Sequence, residues 1–323
     1  MRVLVTGGAG YIGSHMVKLL VDRGEEVVVL DDLSTGHADA LRGARFVQAD
    51  IADVASTRDL LSKNRIEAVI HFAASSLVGE SVADPLKYYM RNVAATTALL
   101  QAMKEVQVLK IVFSSTAAVY GNPVRMPIDE DHPKDPTNPY GSTKLAIERM
   151  LAECCAAYGL NAASLRYFNA AGAHADAGLG ERHDPETHLI PLVLRAAAKN
   201  GAVSVFGNDY PTRDGTCVRD YIHVADLCHA HVLALDWLQA RGAYDCFNLG
   251  NGEGATVLEV IKAARRVTGR EIIIKNSPRR PGDPPALVAD ATKARRVLGW
   301  QPAHPDIETI VRDAWAFEQR RSQ

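Results

Sequence analysis

Tyr140 and Lys144 stand four apart in Tyr140-Gly141-Ser142-Thr143-Lys144, and residues at that spacing share one face of a helix. The ammonium can therefore sit beside the phenol. A free phenol titrates near 10, too high for a base at neutral pH. Lowering it by ~3 units needs ~4 kcal/mol of preference for the phenolate, which an adjacent ammonium and a positively charged cofactor ring could supply together. A hydroxyl partner comes from the run Phe113-Ser114-Ser115-Thr116-Ala117-Ala118, which reads as a strand end. Thr116 is the candidate for bridging the reacting oxygen and the tyrosine, with Ser115 as its rival. The alternative is plain strand-end capping, for which Ser and Thr are common.

A second constellation lies at the start of the chain, in Thr6-Gly7-Gly8-Ala9-Gly10-Tyr11-Ile12-Gly13. Glycines between a strand and a helix let the backbone turn tightly and approach a pyrophosphate, whose charge faces the helix N-terminus. Gly7, Gly10, Tyr11, Ile12 and Gly13 are the expected contacts. Asp31, at the end of the next apolar run, can accept bonds from a ribose diol and would repel a 2′-phosphate, so NAD is favoured over NADP. Asp50-Ile51 and Phe72-Ala73-Ala74 follow two further strand candidates, where the adenine and the rest of a dinucleotide would lie.

The elements that must carry these groups alternate. Strands are expected at Val3–Thr6, Glu26–Leu30, Ala44–Gln48, Ala68–His71, Lys110–Ser114 and Ala162–Arg166. Helical patterns separate them at Ile12–Arg23, Ser56–Lys63, Pro85–Glu105 and Tyr140–Tyr158. Such alternation implies parallel strands with helices on both faces, and ligands beyond the carboxyl ends of the strands. The expected fold class is α/β, a Rossmann-type doubly wound parallel sheet over 1–167 with a smaller C-terminal α/β substrate domain over 168–323. A helix at Tyr221–Leu238 and a strand at Cys246–Leu249 could rejoin the first sheet.

Composition bounds the rest. With 47% hydrophobic and 23% charged residues and a net charge of −2, the chain reads as an ordinary globular protein. Nothing in that balance points to nucleic acid or an anionic membrane as partner. An opening strand and the lack of long apolar runs predict a cytoplasmic chain without leader or membrane span. Five cysteines, Cys154, Cys155, Cys217, Cys228 and Cys246, show no metal-type spacing; reduced thiols and no metal are expected.

The glycine loop, SSTAAVYG, YGSTK, RYFNAAGA (166–173), FGNDYPTRDGTCVRDYIHVADL (206–227) and PRRPGDPPA (278–286) resemble the extended short-chain dehydrogenase/reductase family. Within it the last three motifs are most similar to the branch that interconverts UDP-glucose and UDP-galactose, and the resemblance covers essentially the whole chain. It implies that Tyr140 takes the proton of the sugar 4-hydroxyl, that Lys144 tunes it and binds the nicotinamide ribose, and that Thr116 bonds the 4-oxygen. Hydride would pass to NAD, the 4-keto sugar would turn over, and hydride would return to the other face. Asn92, Phe168 and the segment Asp31, Asp32, Leu33, Ser34, Thr35 and Gly36 match cofactor contacts. Asn169, Leu189, Ser204, Phe206, Arg219, Arg280 and Asp283 match positions that hold UDP, where forked arginine donors suit a diphosphate. Family members pair as homodimers through the helices near 85–105 and 140–158.

Three positions qualify the resemblance. Ser76 stands where some members carry a lysine that contacts the cofactor phosphates. His188 stands where some carry asparagine beside the nucleotide. With an ordinary pKa of about 6.5, it would strengthen diphosphate binding as pH falls through that region. Leu287 matches the wall of the pocket near the sugar 2-substituent, where tyrosine confines members to UDP-glucose and UDP-galactose and smaller residues admit 2-acetamido sugars; the opposing reading packs Leu287 into the core. Rival functions of two classes, enzyme and regulator, follow from the same resemblance. A 4,6-dehydratase would need an acid/base pair where Ala117 and Ala118 stand, whereas a UDP-glucuronate decarboxylase or epimerase stays open. A non-catalytic NAD-sensing regulator would typically have lost the Tyr140/Lys144 pair.

Overall fold

The computed structural model describes residues 1–41, 43–240, 243–280 and 282–321; Pro281, inside the 278–286 motif, lies outside the described residues. Seven strands make one sheet: β1 (Arg2–Thr6), β2 (Glu26–Asp31), β3 (Arg45–Gln48), β4 (Ala68–His71), β5 (Lys110–Thr116), β6 (Asn161–Tyr167) and β7 (Tyr244–Leu249). Their order across the sheet is β7-β6-β5-β4-β1-β2-β3, and every neighbouring pair is parallel. The order reverses between β1 and β4, and the crevice beyond the carboxyl ends there is where such sheets hold ligands.

Successive side chains of a strand point to opposite faces, and here each face buries its own core. Val3, Val5, Val27 and Val29 pack under the helices Tyr11–Asp22 and Val224–Ala240. Leu4, Val28, Leu30, Ile111 and Phe113 pack under Val54–Lys63, Ala95–Glu105 and Pro139–Tyr158. Burial on both faces explains why these strands read as unbroken apolar runs.

Beyond Phe168 a smaller core forms between the helices Leu189–Ala198, Val257–Thr268 and Ile307–Arg321 and the parallel strands Ala202–Phe206 and Ile273–Ser277. A short three-stranded piece sets Val218–Arg219 between Ala255–Thr256 and Ala286–Leu287, with Leu287 opposite Arg219. The helix Val224–Ala240 and β7 return to the large sheet, β7 pairing with β6 from Tyr244 opposite Ala162 to Leu249 opposite Tyr167.

Two expected elements differ. The helix expected over Pro85–Glu105 is Pro85–Tyr88, a wide π-turn at Tyr89–Ala94, and then Ala95–Glu105. The widening turns Asn92 inward: its side-chain oxygen accepts from the Ser75 amide at 2.8 Å, and its nitrogen donates to the Ser75 carbonyl and the Thr143 hydroxyl, both at 3.1 Å. One side chain thus ties the loop after β4 to the helix that carries Lys144. Such π-turns inside helices gather at functional sites. The helix expected from Tyr221 instead begins at Val224, because Tyr221–His223 pair as a strand with Asn169–Ala171. Among the described residues no helix is long and apolar enough to cross a membrane, and all five cysteines are free thiols.

Candidate active site

The helix Pro139–Tyr158 starts where it does because Asn138 caps it, accepting from the Gly141 amide at 2.9 Å, with Pro139 in the first turn. A side chain at Gly141 would lie 2.5 Å from the Ala118 carbonyl oxygen. Glycine there lets the first turn press against the chain leaving β5, which brings Tyr140 to the end of that strand.

Tyr140, Lys144 and Thr116 meet at that point. The Thr116 Oγ1 accepts from the Ala118 amide at 3.1 Å, which leaves its O–H to donate. Enclosure in protein pushes the Tyr140 phenol up to about 12, and the neighbouring Thr116 hydroxyl pulls against that rise. Lys144 is buried, and its Nζ donates to the Ser114 carbonyl at 2.8 Å. The ammonium lies 6.0 Å from the centre of the Tyr140 ring. It shares a helix face with that ring, but a buried ammonium needs acceptors and takes the strand carbonyl. Burial lowers its pKa to about 7, with the Glu148 charge opposing. Ser115, the rival to Thr116, donates instead to Glu148 at 2.6 Å.

The glycine loop fits a bound dinucleotide. Gly7 has φ +69°, and a side chain on it would lie 2.5 Å from the Ala73 nitrogen, so β1 can run against the end of β4. A side chain on Gly13 would stand 2.1 Å from the Gly7 oxygen. No side chain caps the helix at Gly10, and no acidic residue occupies its first turn; its amides are free to face an anion. Asp31 is buried and accepts from the Ala9 amide at 2.9 Å and the Leu33 amide at 2.8 Å. Burial raises its pKa against those two bonds. Next to it Asp32 pairs with Arg91 at 2.7 Å and accepts from Ser34, while a side chain on Gly36 would touch Asp31. Thr35 lines a pocket with Ala9, Gly10 and Tyr11 whose far wall is Leu179, Gly180, Arg182 and His183. Arg182 closes it from the second half of the chain through a forked pair with Asp39 at 2.8 and 2.9 Å. Asp50 is exposed and accepts from the Ala52 amide, Ile51 is buried, and Phe72, Ala73 and Ala74 are partly buried at the end of β4. Exposed Ser76 follows them.

The residues expected around UDP fall into separate groups. Arg219 pairs with Asp283, and the Arg280 guanidinium stacks 4.0 Å from the centre of the Phe206 ring. Arg280 and Asp283 line a cleft with Asn122, Pro123 and Pro284. Leu287 and Phe168 both pack on the apolar cluster of Ala117, Val119, Tyr120, Ile128 and Leu145. Leu287 is only partly buried there. Asn169 opens the short strand paired with Tyr221. Leu189 is the first residue of its helix, and Ser204 is exposed on the strand Ala202–Phe206.

His188 departs from its expected chemistry. Its Nδ1 lies 2.6 Å from Glu181 and 3.2 Å from Glu186. The two carboxylates overcome partial burial and raise its pKa to about 10, while the paired histidines bring Glu181 down to about 2. The ring is thus charged throughout the neutral range and does not switch near 6.5. Glu181, His183, Glu186 and His188 bring their polar atoms within 4.8 Å of one another; with Arg195 at 3.4 Å from Glu186, the two carboxylates face two cations. Sequence reasoning missed this cluster. It also missed the buried pair of Arg166 and Glu148 at 2.6 Å, although Glu148 continues the four-residue spacing from Tyr140 and Lys144.

Comparison with known proteins bears on this geometry. Residues 3–250 match the model of the NAD dependent epimerase/dehydratase family. The UDP-glucose 4-epimerase of Halalkalibacterium halodurans is 54% identical over 320 residues, spanning 99% of this chain and 96% of that protein. A crystal structure of UDP-glucose 4-epimerase from Brucella ovis in complex with NAD is 50% identical, with a TM-score of 0.94 over 97% of each chain. The UDP-Glc/GlcNAc 4-epimerase of Campylobacter jejuni is 41% identical, with a TM-score of 0.87 over 99% of each chain.

The charge on His188 has a measurable consequence. Its folded pKa lies above the ordinary imidazole value, so its contribution to stability is complete below about 6.5 and declines as pH rises toward about 10. The stability advantage of the native chain over His188→Asn, followed by urea unfolding, is expected to be level from pH 5 to 6 and to shrink from pH 7 to 9. In an NMR titration the ring stays protonated at pH 8; a midpoint near 6.5 would show that the two glutamates do not hold it.

Proposed function

This chain belongs to the NAD dependent epimerase/dehydratase family, and from that premise we propose that it interconverts UDP-glucose and UDP-galactose at C4. The observation that carries the reading is the meeting of Tyr140, Lys144 and Thr116 at the end of β5, next to a glycine cradle and an Asp31 suited to NAD. The positions after Thr116 are Ala117 and Ala118, which cannot move the proton that a 4,6-dehydratase must. A regulator would have no use for an ammonium buried at this cost, and the retained pair favours an enzyme over that reading. A UDP-glucuronate enzyme is separated by assaying a panel of UDP-sugars without added cofactor.

In the proposed reaction Tyr140 accepts the proton of the sugar 4-hydroxyl while Thr116 donates a hydrogen bond to the 4-oxygen. NAD, when bound, supplies a hydride acceptor that later returns the same hydride, and a positive ring that favours the phenolate. That charge matters here, because without it the phenol stands at about 12. Asn92, through its hold on Ser75 and Thr143, keeps the loop after β4 in register with the helix that carries Lys144. Arg219, Arg280, Phe206 and Asp283 would grip the UDP, with Asn169, His188, Leu189 and Ser204 around it. Such a grip leaves the hexose free to present its other face, after which Tyr140 returns the proton.

A second copy of the chain is the proposed partner. Val78, Val82, Leu86, Tyr89 and Met90 are 45–76% exposed within thirteen residues, and clustered apolar exposure of this kind marks an interaction surface. It runs into the segment 85–105 that was expected to pair.

Three outcomes follow. Tyr140→Phe should keep its fold and bound NAD and lose about 10²–10⁴-fold in turnover, since only proton transfer is removed; normal turnover would exclude Tyr140 as the base. Native enzyme should also act on UDP-N-acetylglucosamine, because Leu287 is shorter than tyrosine and only partly buried against the apolar cluster that includes Ala117. Leu287→Tyr should then lose that activity and keep UDP-glucose turnover, and an undiminished acetamido activity would show that Leu287 is not the wall. Finally, Leu86→Glu with Met90→Glu should convert a dimer to a monomer in sedimentation; a native monomer ends that part of the proposal.

A further inference from the structure

Tyr140, Lys144 and Glu148 lie on successive turns of one helix face, and each engages one of three consecutive residues of β5. Tyr140 meets the Thr116 hydroxyl, Lys144 donates to the Ser114 carbonyl at 2.8 Å, and Glu148 accepts from the Ser115 hydroxyl at 2.6 Å. The Glu148 carboxylate is gripped from its other side by Arg166, whose Nε and Nη2 donate at 2.8 and 2.6 Å. Arg166 stands directly opposite Ser115 in the register of β5 and β6. Its Nη1 donates to the Tyr120 hydroxyl at 2.9 Å, which donates in turn to Asn248 on β7 at 2.6 Å. Lys144, Glu148 and Arg166 are each 2% exposed, and Ser115 and Asn248 are fully enclosed.

A buried ion pair is a poor source of stability, since well-packed apolar side chains often do as well or better. What this one supplies is a fixed carboxylate at one turn from the lysine. We propose that Glu148 is a positioning residue for the reaction: held by Arg166 and Ser115, it seats the helix on β5 so that Tyr140 faces Thr116, and it sets a fixed carboxylate one turn from Lys144. The inference rests on the 4-epimerase reading of Tyr140.

The surroundings leave that task to Glu148. On its own helix Lys144 has Tyr140 and Glu148 as neighbours. From β4 comes His71, bonded to Thr6 and Thr96 and pushed down to about 3 by burial and by Lys144 itself. From β6 come Arg166 and Tyr167, the latter bonded to Ser114 at 2.6 Å. Tyr88 faces the Tyr140 ring at 6.5 Å; Tyr120, the Glu130 carbonyl and Cys246 of β7 border Arg166. Among these groups Glu148 is the one anion whose charge opposes the desolvation of Lys144.

The test compares kcat–pH profiles of full-length native enzyme, Glu148→Gln, Glu148→Gln with Arg166→Met, and Glu148→Asp. Both glutamine variants should bind NAD and keep KM within about threefold, while kcat at pH 7.5 falls on the order of 10–100-fold and its alkaline limb moves about one unit to lower pH. If the double variant, in which no charge is left unpaired, recovers native kcat and native limbs, Glu148 merely neutralises Arg166 and the inference fails. Glu148→Asp keeps the charge and shortens its reach, so kcat should fall with the limb in place. Should the glutamine variants not fold, this variant decides alone, and a native kcat in it overturns the proposal. Native enzyme inactive on UDP-galactose would strike the 4-epimerase reading instead; active native enzyme with unaffected variants strikes only this one.

Discussion

An ammonium group with almost no access to water, set at the carboxyl end of β5, is the constraint around which the site is arranged. Leaving Lys144 charged costs solvation, and the fold answers with a strand carbonyl, a carboxylate one turn away and a guanidinium that holds that carboxylate still. Each answer comes from a different element. The helix Pro139–Tyr158, β5 and β6 must therefore all be in register before the tyrosine is usable, and the doubly buried sheet supplies that rigidity.

Charge is handled in the opposite way in the second half. Around His188 the protein gathers two carboxylates in a small volume, with Arg195 against one of them, and the carboxylates hold the His188 ring in its charged form. The same residue type deep in the first core, His71, is held in the other form by burial and by the nearby Lys144 charge. Neither histidine is left near the pH at which a free imidazole switches.

Much of this was legible in the sequence. The glycine loop, Asp31, the Tyr140/Lys144 spacing and the six strands of the first half all follow from local pattern, and their positions differ from the structure by a residue or two. What was not legible depended on contacts between distant segments. A continuous helix over 85–105 is the right reading of its local pattern; the π-turn exists because Asn92 finds partners on Ser75 and Thr143. Glu186 is two residues from His188, yet only the fold shows that both it and Glu181 are buried against the ring. Tyr221–His223 suits either a strand or a helix, and Asn169–Ala171 decides.

The sheet also has an order of completion. β7 and the helix 224–240 belong to the first core, although the chain encodes them after much of the second half. A polypeptide growing from its N-terminus finishes β6 at Tyr167 and must add 82 residues before Leu249 closes the pairing. At synthesis rates of ~5–20 residues per second this takes about 4–16 s. Throughout that interval β6 offers an open row of amides and carbonyls, of the kind that pairs readily with another chain. That edge stays open until the chain from the far half has come back across.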